Sequence, residues 1–181
     1  MLQAKQDLLV LEAQGGNQKA FNILYRLYNK SLLRFAFKIS NNDEITVEAV
    51  QQAWIKLSKN LRRLHDPRVF KSWLYRCVRW RVLEGLRTLQ KQRQRFEEFD
   101  EVIHQQNDST QDQNEIGIIE IINSLPTTEK LMIHLFYLDE MRLVEISNVL
   151  EIPVGTVKSR LNRARKLLKE KFVNSGENDE Y

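Results

Sequence analysis

The sequence holds a single cysteine, Cys77, in 181 residues. No disulfide can form within the chain, and no zinc site can be built from cysteine pairs. Its three histidines, His65, His104 and His134, are too far apart for ligand spacing, so no metal and no other cofactor is expected. Glycine (6) and proline (3) are also scarce, which removes most of the signals that break helices. No Gly-rich phosphate loop and no nucleophile–base constellation occurs, so no enzymatic activity is expected. No apolar run approaches the ~20 residues that span a bilayer, so no membrane insertion is expected. The first residues lack a cationic stretch followed by an apolar run, which predicts no signal peptide and a cytoplasmic protein. No segment alternates apolar and polar residues long enough to predict a sheet.

What is present is helical periodicity and uneven charge. A hydrophobic fraction of 42% allows real cores and a charged fraction of 29% a well-solvated surface. The expected fold class is all-α: two small helical domains joined by a flexible acidic linker. The net charge of +4 permits an anionic partner, and its distribution says more. Between Arg62 and Arg95 the basic residues are opposed only by Asp66 and Glu84. Between Glu97 and Glu115 the sign flips, with no Lys or Arg. The last cationic run lies between Lys158 and Lys171, against Glu170 alone.

That last run belongs to the most organised stretch, MRLVEISNVLEIPVGTVKSRLNRARKLLKEK, from Met141 to Lys171. Leu143, Val144, Ile146, Val149 and Leu150 recur at helical spacing. Glu151-Ile152-Pro153 interrupts, and proline suits the first turn of a new helix. A small residue is commoner at a position like Glu151, because such turns tend to need positive φ. Val154, Val157, Leu161, Ala164 and Leu168 then form a second apolar stripe. The second helix is roughly 27 Å long, and a helix fits the major groove of DNA. Two helices, a short turn and a cationic second helix make a helix-turn-helix.

Along the chain, residues 1–16 read as an amphipathic lead-in closed by Gly15-Gly16. Asn17 is a good cap for a helix from Gln18 to about Ser40, with Phe21, Leu24, Tyr25, Tyr28, Leu32, Phe35, Ala36 and Ile39 on one face. Asn41-Asn42-Asp43 ends it and caps the next helix, Glu44 to about Leu61, which turns Ile45, Val50, Ala53, Trp54 and Leu57 to the core. His65-Asp66-Pro67 is a turn. A third helix is expected from about Arg68 to Leu89, with Phe70, Trp73, Leu74, Cys77, Val78 and Leu86 inward. The expected division is a first domain over 1–90, a linker over 91–114, a second domain over 115–173 and a polar tail over 174–181. In the second domain Pro126 ends one helix and Thr127 or Thr128 is expected to cap the next.

Two strings in the first half, EAVQQAWIKL and FKSWLYRCVRWRVLEGLR, and the string VEISNVLEIPVGTVKSRLNRARKLL in the second carry a resemblance. The sequence is similar to bacterial RNA polymerase sigma factors of the small extracytoplasmic-function group. Its first domain resembles sigma region two and its second sigma region four. The resemblance implies binding to core RNA polymerase and to promoter DNA, as duplex at the minus-thirty-five element and as unpaired non-template strand at the minus-ten element. It also implies an anti-sigma factor as a partner. On the second helix of the motif it points to Thr156, Lys158, Ser159, Arg160, Asn162, Arg163 and Lys166 as contacts to the upstream element. For the minus-ten element it points to Arg63, Arg68, Lys71, Arg76, Arg79, Trp80 and Arg87, with Trp73 and Tyr75 interleaved. Trp80 stands where the family usually has Asn. Glu48, Gln51 and Gln52 match the polymerase-binding patch, with Gln52 in place of an acid. The acidic linker is a candidate to fold back over the cationic faces. The alternative reading is a helix-turn-helix repressor or activator acting without polymerase, although such proteins usually dimerise and no dimer helix is evident.

Overall fold

The protein is seen in a computed structural model that describes residues 2–97, 122 and 124–176, with no strand among the described residues. The helices of the first half are α1 (Leu2–Gln14), α2 (Gln18–Ser40), α3 (Asp43–Asn60) and α4 (Phe70–Glu97). Those of the second are α5 (Thr127–Ile133), α6 (Leu143–Leu150) and α7 (Val154–Gly176). Sequence sets most of the boundaries. Asn17 accepts from the backbone N–H groups of Lys19 and Ala20 at 3.0 and 3.2 Å and starts α2. Asn41 closes α2 in the left-handed region, φ 47°, and Asn42 starts α3 by accepting from the Ile45 N–H at 2.9 Å. Gly16 has φ +94°, which leaves its position to glycine.

Packing follows the apolar stripes. Leu24, Leu32, Phe35 and Ala36 of α2, Ala53 and Leu57 of α3, and Leu74, Val78 and Val82 of α4 are buried. Gly85 lets α4 pass close to α3, since a Cβ there would meet Ile45 Cγ2 at 3.0 Å. α1 is tied on by Gln14, whose amide donates to the carbonyls of Leu61 and Leu64. In the second half Val157, Leu161 and Ala164 of α7 pack with Met132, Leu135, Ile146 and Val149. α6 lies against α4, and the buried apolar cluster runs from the first half into the second.

Several expectations are corrected. α4 continues to Glu97, past the Leu89 predicted as its end. Apart from Phe96, residues 91–97 are polar, but Gln, Lys, Arg and Glu are good helix formers and nothing breaks the run. The remainder of the expected linker, with the fold-back assigned to it, lies outside the described residues, as does the end of the tail. Neither Thr127 nor Thr128 caps α5: Pro126 stands at the N-cap and its carbonyl accepts from the Lys130 N–H at 2.9 Å. Tyr25 and Val144 lie outside the core, and Tyr75, expected among the cationic residues, is buried.

Candidate nucleic-acid interface

α7 turns Val157, Leu161 and Ala164 inward and its other face to solvent, while Val154 of the expected stripe is exposed. Lys158, Ser159, Arg160, Asn162, Arg163 and Lys166 are all exposed; Thr156, in the first turn, is half-buried. Among the described residues no hydrogen bond or ion pair holds the side chains of Lys158, Arg160 or Asn162. Lys166 stands 3.9 Å from Glu170. Arg163 has a structural task as well: its Nε is 3.3 Å from the carboxylate of Glu129, which is 7% exposed. Removing Arg163 would leave that buried carboxylate without its partner. Arg163→Ala should therefore destabilise the second half by about 1–2 kcal/mol, a value kept low because the arginine is exposed. Adding Glu129→Gln should return most of that stability, read by thermal melting. Arg165 is engaged too, with its guanidinium over the rings of Phe136 and Tyr137 and its Nε donating to the Tyr137 hydroxyl at 2.8 Å.

The turn ahead of α7 is held by its own side chains. The Ser147 hydroxyl donates to the Ile152 carbonyl at 2.6 Å. Glu151 ends α6 at φ 56°, where a glycine would be less strained. The positive φ that such turns tend to need is thus present, carried by a residue with a carboxylate.

On α4, Arg76, Trp80 and Arg87 recur at steps of four and seven, share a face and are exposed, Trp80 at 62%. Trp80 and Arg87, with Arg79, Lys56 of α3 and Glu151, line a cleft of about 480 Å³. Lys56 was not singled out from the sequence; it comes from a separate helix, and only the packing of α3 on α4 brings it there. The other candidates do not join this group. Arg63 lies exposed on the turn after α3. Arg68 forms an exposed pair with Asp66, whose carboxyl the Arg68 guanidinium and backbone N–H hold below the usual carboxylate range. That cap is present above the ordinary carboxylate pKa and is lost as pH falls through the depressed one. Lys71 is turned away, its ammonium donating to the Asp139 backbone carbonyl, and burial pushes it below the usual lysine value. Trp73 is half-buried against the core.

α3 presents Glu48 and Gln51 exposed and Gln52 half-buried. Val47 and Ile55 stand beside them at 57% and 40% exposure. These two escape sequence reasoning because an apolar residue on a helix is read as core until its face is known.

The model of sigma-70 region 2 matches residues 24–92, and that of sigma-70 region 4 matches residues 116–168. Among curated relatives, the chain is 25% identical to the extracytoplasmic-function RNA polymerase sigma factor SigW of Bacillus subtilis, over 90% of this chain and 94% of that one. It is 28% identical to the extracytoplasmic-function sigma-E factor of Escherichia coli K12, over 93% and 95%. In fold it is similar to RpoE of Bartonella quintana, solved with the anti-sigma factor NepR, at a TM-score of 0.65, 21% identity and coverage of 84% and 96%. It is also similar to CnrH, solved with the cytosolic domain of CnrY, at a TM-score of 0.62, 22% identity and coverage of 91% and 95%.

Proposed function

The chain belongs to the sigma-70 family, as an extracytoplasmic-function sigma factor with regions two and four, and from that membership we propose how its residues divide the work of transcription initiation. Its function is to bind core RNA polymerase, recognise promoter elements and direct initiation. The observation that carries the residue-level reading is that each matched region has its own exposed cationic face, on α4 in the first and α7 in the second. A factor of this kind acts through polymerase, so no chemistry is assigned to its own side chains, and its place is with polymerase in the cytoplasm.

In this reading Lys158, Arg160 and Asn162 read base edges of the upstream duplex. Arginine or lysine pairs with guanine and asparagine with adenine. Thr156, Ser159, Arg163 and Lys166 hold the phosphates beside them. Arg76, Arg79 and Arg87, with Lys56, line a track for the unpaired minus-ten strand, and Trp80 offers a ring on which a base can stack. Arg63 extends the track, as do Arg68 and Lys71 once freed from Asp66 and Asp139. Glu48, Gln51 and Gln52 contact core polymerase, and exposed Val47 and Ile55 give that contact an apolar centre. An anti-sigma factor is the natural inhibitor, since one accompanies a relative of this fold.

Run-off transcription with core polymerase tests the assignment. The parent chain should start transcripts at a promoter of its own genome. Trp80→Ala should lower open-complex formation about 5- to 150-fold, the loss of ~1–3 kcal/mol of stacking on one base. Failure of the parent chain to support any initiation would overturn the reading.

A further inference from the structure

One face of α2 has no share in the contacts assigned to strand, duplex and polymerase. Between Gln18 and Ser40 the helix holds Lys19, Arg26, Lys30, Arg34 and Lys38, and no Asp or Glu. Lys19, Arg26, Lys30 and Arg34 are exposed, and their steps of seven, four and four put them on one stripe. That stripe lies opposite the side on which Leu24, Tyr28, Leu32 and Phe35 are buried. Ile23 and Leu27 stand on it too, exposed at 49% and 48%. Among the described residues no ion pair reaches these four cations, and only Arg34 makes a side-chain hydrogen bond, donating to the Ser31 hydroxyl at 3.3 Å. The arrangement costs the helix stability. Arg26, Lys30 and Arg34 repel one another at successive i,i+4 positions, and Lys19 sits in the first turn, where the helix dipole disfavours a cation. An anionic surface outside the chain offsets both.

We propose that this face of α2 docks the chain, reversibly, on an anionic lipid surface. Among the described residues no helix is long and apolar enough to cross a membrane, so the contact is peripheral. The apolar pair selects the partner. On the exposed face of α7 the cations stand beside Ser159 and Asn162, whose polar groups suit phosphates and bases. On α2 they stand beside Ile23 and Leu27, which gain nothing from a phosphate backbone. A leaflet takes both kinds: the cations meet anionic headgroups while the aliphatic groups enter the boundary with the acyl chains. Shape agrees with this choice. The stripe from Lys19 to Arg34 runs about 22 Å along the helix. The outer side of a packed helix is a ridge, and a ridge meets a flat leaflet without needing a groove.

Co-sedimentation of the full-length chain with vesicles gives the test. The chain should bind vesicles of phosphatidylglycerol and phosphatidylcholine in equal parts, not those of phosphatidylcholine alone, and salt should weaken the binding. A cation near an anionic surface strengthens binding about fivefold, so Arg26→Gln with Lys30→Gln should weaken it about 25-fold. Lys158→Gln with Arg160→Gln, which removes the same charge from α7, should weaken it less than about twofold. Ile23→Ser with Leu27→Ser keeps the charge and should still weaken binding about tenfold, because the aliphatic groups no longer leave water. The substituted side chains are exposed, so each variant should melt within a few degrees of the parent. A parent chain that ignores the anionic vesicles overturns the proposal. So does an I23S/L27S chain that binds them as the parent does, or an α7 variant that loses as much as the α2 one. If R26Q/K30Q weakens binding to a mixed-sequence duplex as strongly as to vesicles, the face belongs to nucleic acid and the lipid assignment falls. If it lowers run-off transcription with core polymerase by more than about twofold, the face belongs to polymerase and the assignment falls likewise.

Discussion

Replacing Lys158 and Asn162 together by alanine should lower the affinity of the reconstituted holoenzyme for its upstream element by about 30- to 20,000-fold. Both side chains are exposed on α7, four positions apart along its outer face, and among the described residues no hydrogen bond or ion pair engages them. A good bidentate pair with a base contributes about 1–3 kcal/mol of discrimination, and two such contacts give the range above. Neither residue supports the core, since burial on this helix falls to Val157, Leu161 and Ala164. Melting of the free chain should therefore stay within about 0.5 kcal/mol of the parent. The informative measurement is a titration of holoenzyme on promoter duplex with the upstream element intact and scrambled. The parent should separate the two targets and the double variant should not. A double variant that still discriminates between them would take base reading away from this face.

The second large effect concerns stability. Trp54 of α3 is only 6% exposed, its indole N–H donates to Asn29 at 3.2 Å, and its ring meets Phe21 and Tyr25 at 5.9 and 5.1 Å. Trp54→Ala should cost about 3–5 kcal/mol, from lost burial, the cavity left behind and the broken aromatic contacts. For the first half alone this corresponds to a fall of more than about 10 °C in Tm. Calorimetry of the full chain should show the fall, and Trp54→Phe should recover a good part of it by refilling most of the volume. A Tm within a few degrees of the parent for the alanine variant would mean that Trp54 does not anchor α2 to α3.

The two faces of α7 were legible in the sequence because one helix supplies both, and a period of 3.6 separates Val157, Leu161 and Ala164 from Lys158, Arg160 and Asn162 without reference to any other element. The caps at Asn17 and Asn42 were legible for the same reason: the side chain and the N–H groups it serves are neighbours in sequence. What could not be read was set by partners distant in sequence. Tyr75 and Lys71 looked like members of a cationic surface until α6 and the Asp139 turn covered them. Arg163 looked like a free cation until α5 brought Glu129 beneath it. Lys56 looked like a solvated side chain until α3 came to lie along α4. The extension of α4 to Glu97 was missed for another reason. A polar segment without an apolar stripe reads as linker, yet a helix already nucleated by packing propagates through good helix formers at little cost.

The missing side chain at Gly85 has a mechanical meaning. With Ile45 Cγ2 only 3.0 Å from where a methyl would sit, α3 and α4 have no slack between them and behave as paired rails of one chassis. The rail that carries Glu48 and Gln51 is the one polymerase would push on, and the rail that carries Trp80 is the one that would steer the strand. On the proposed assignments, polymerase seated on α3 would also set the aim of Trp80 through this close packing.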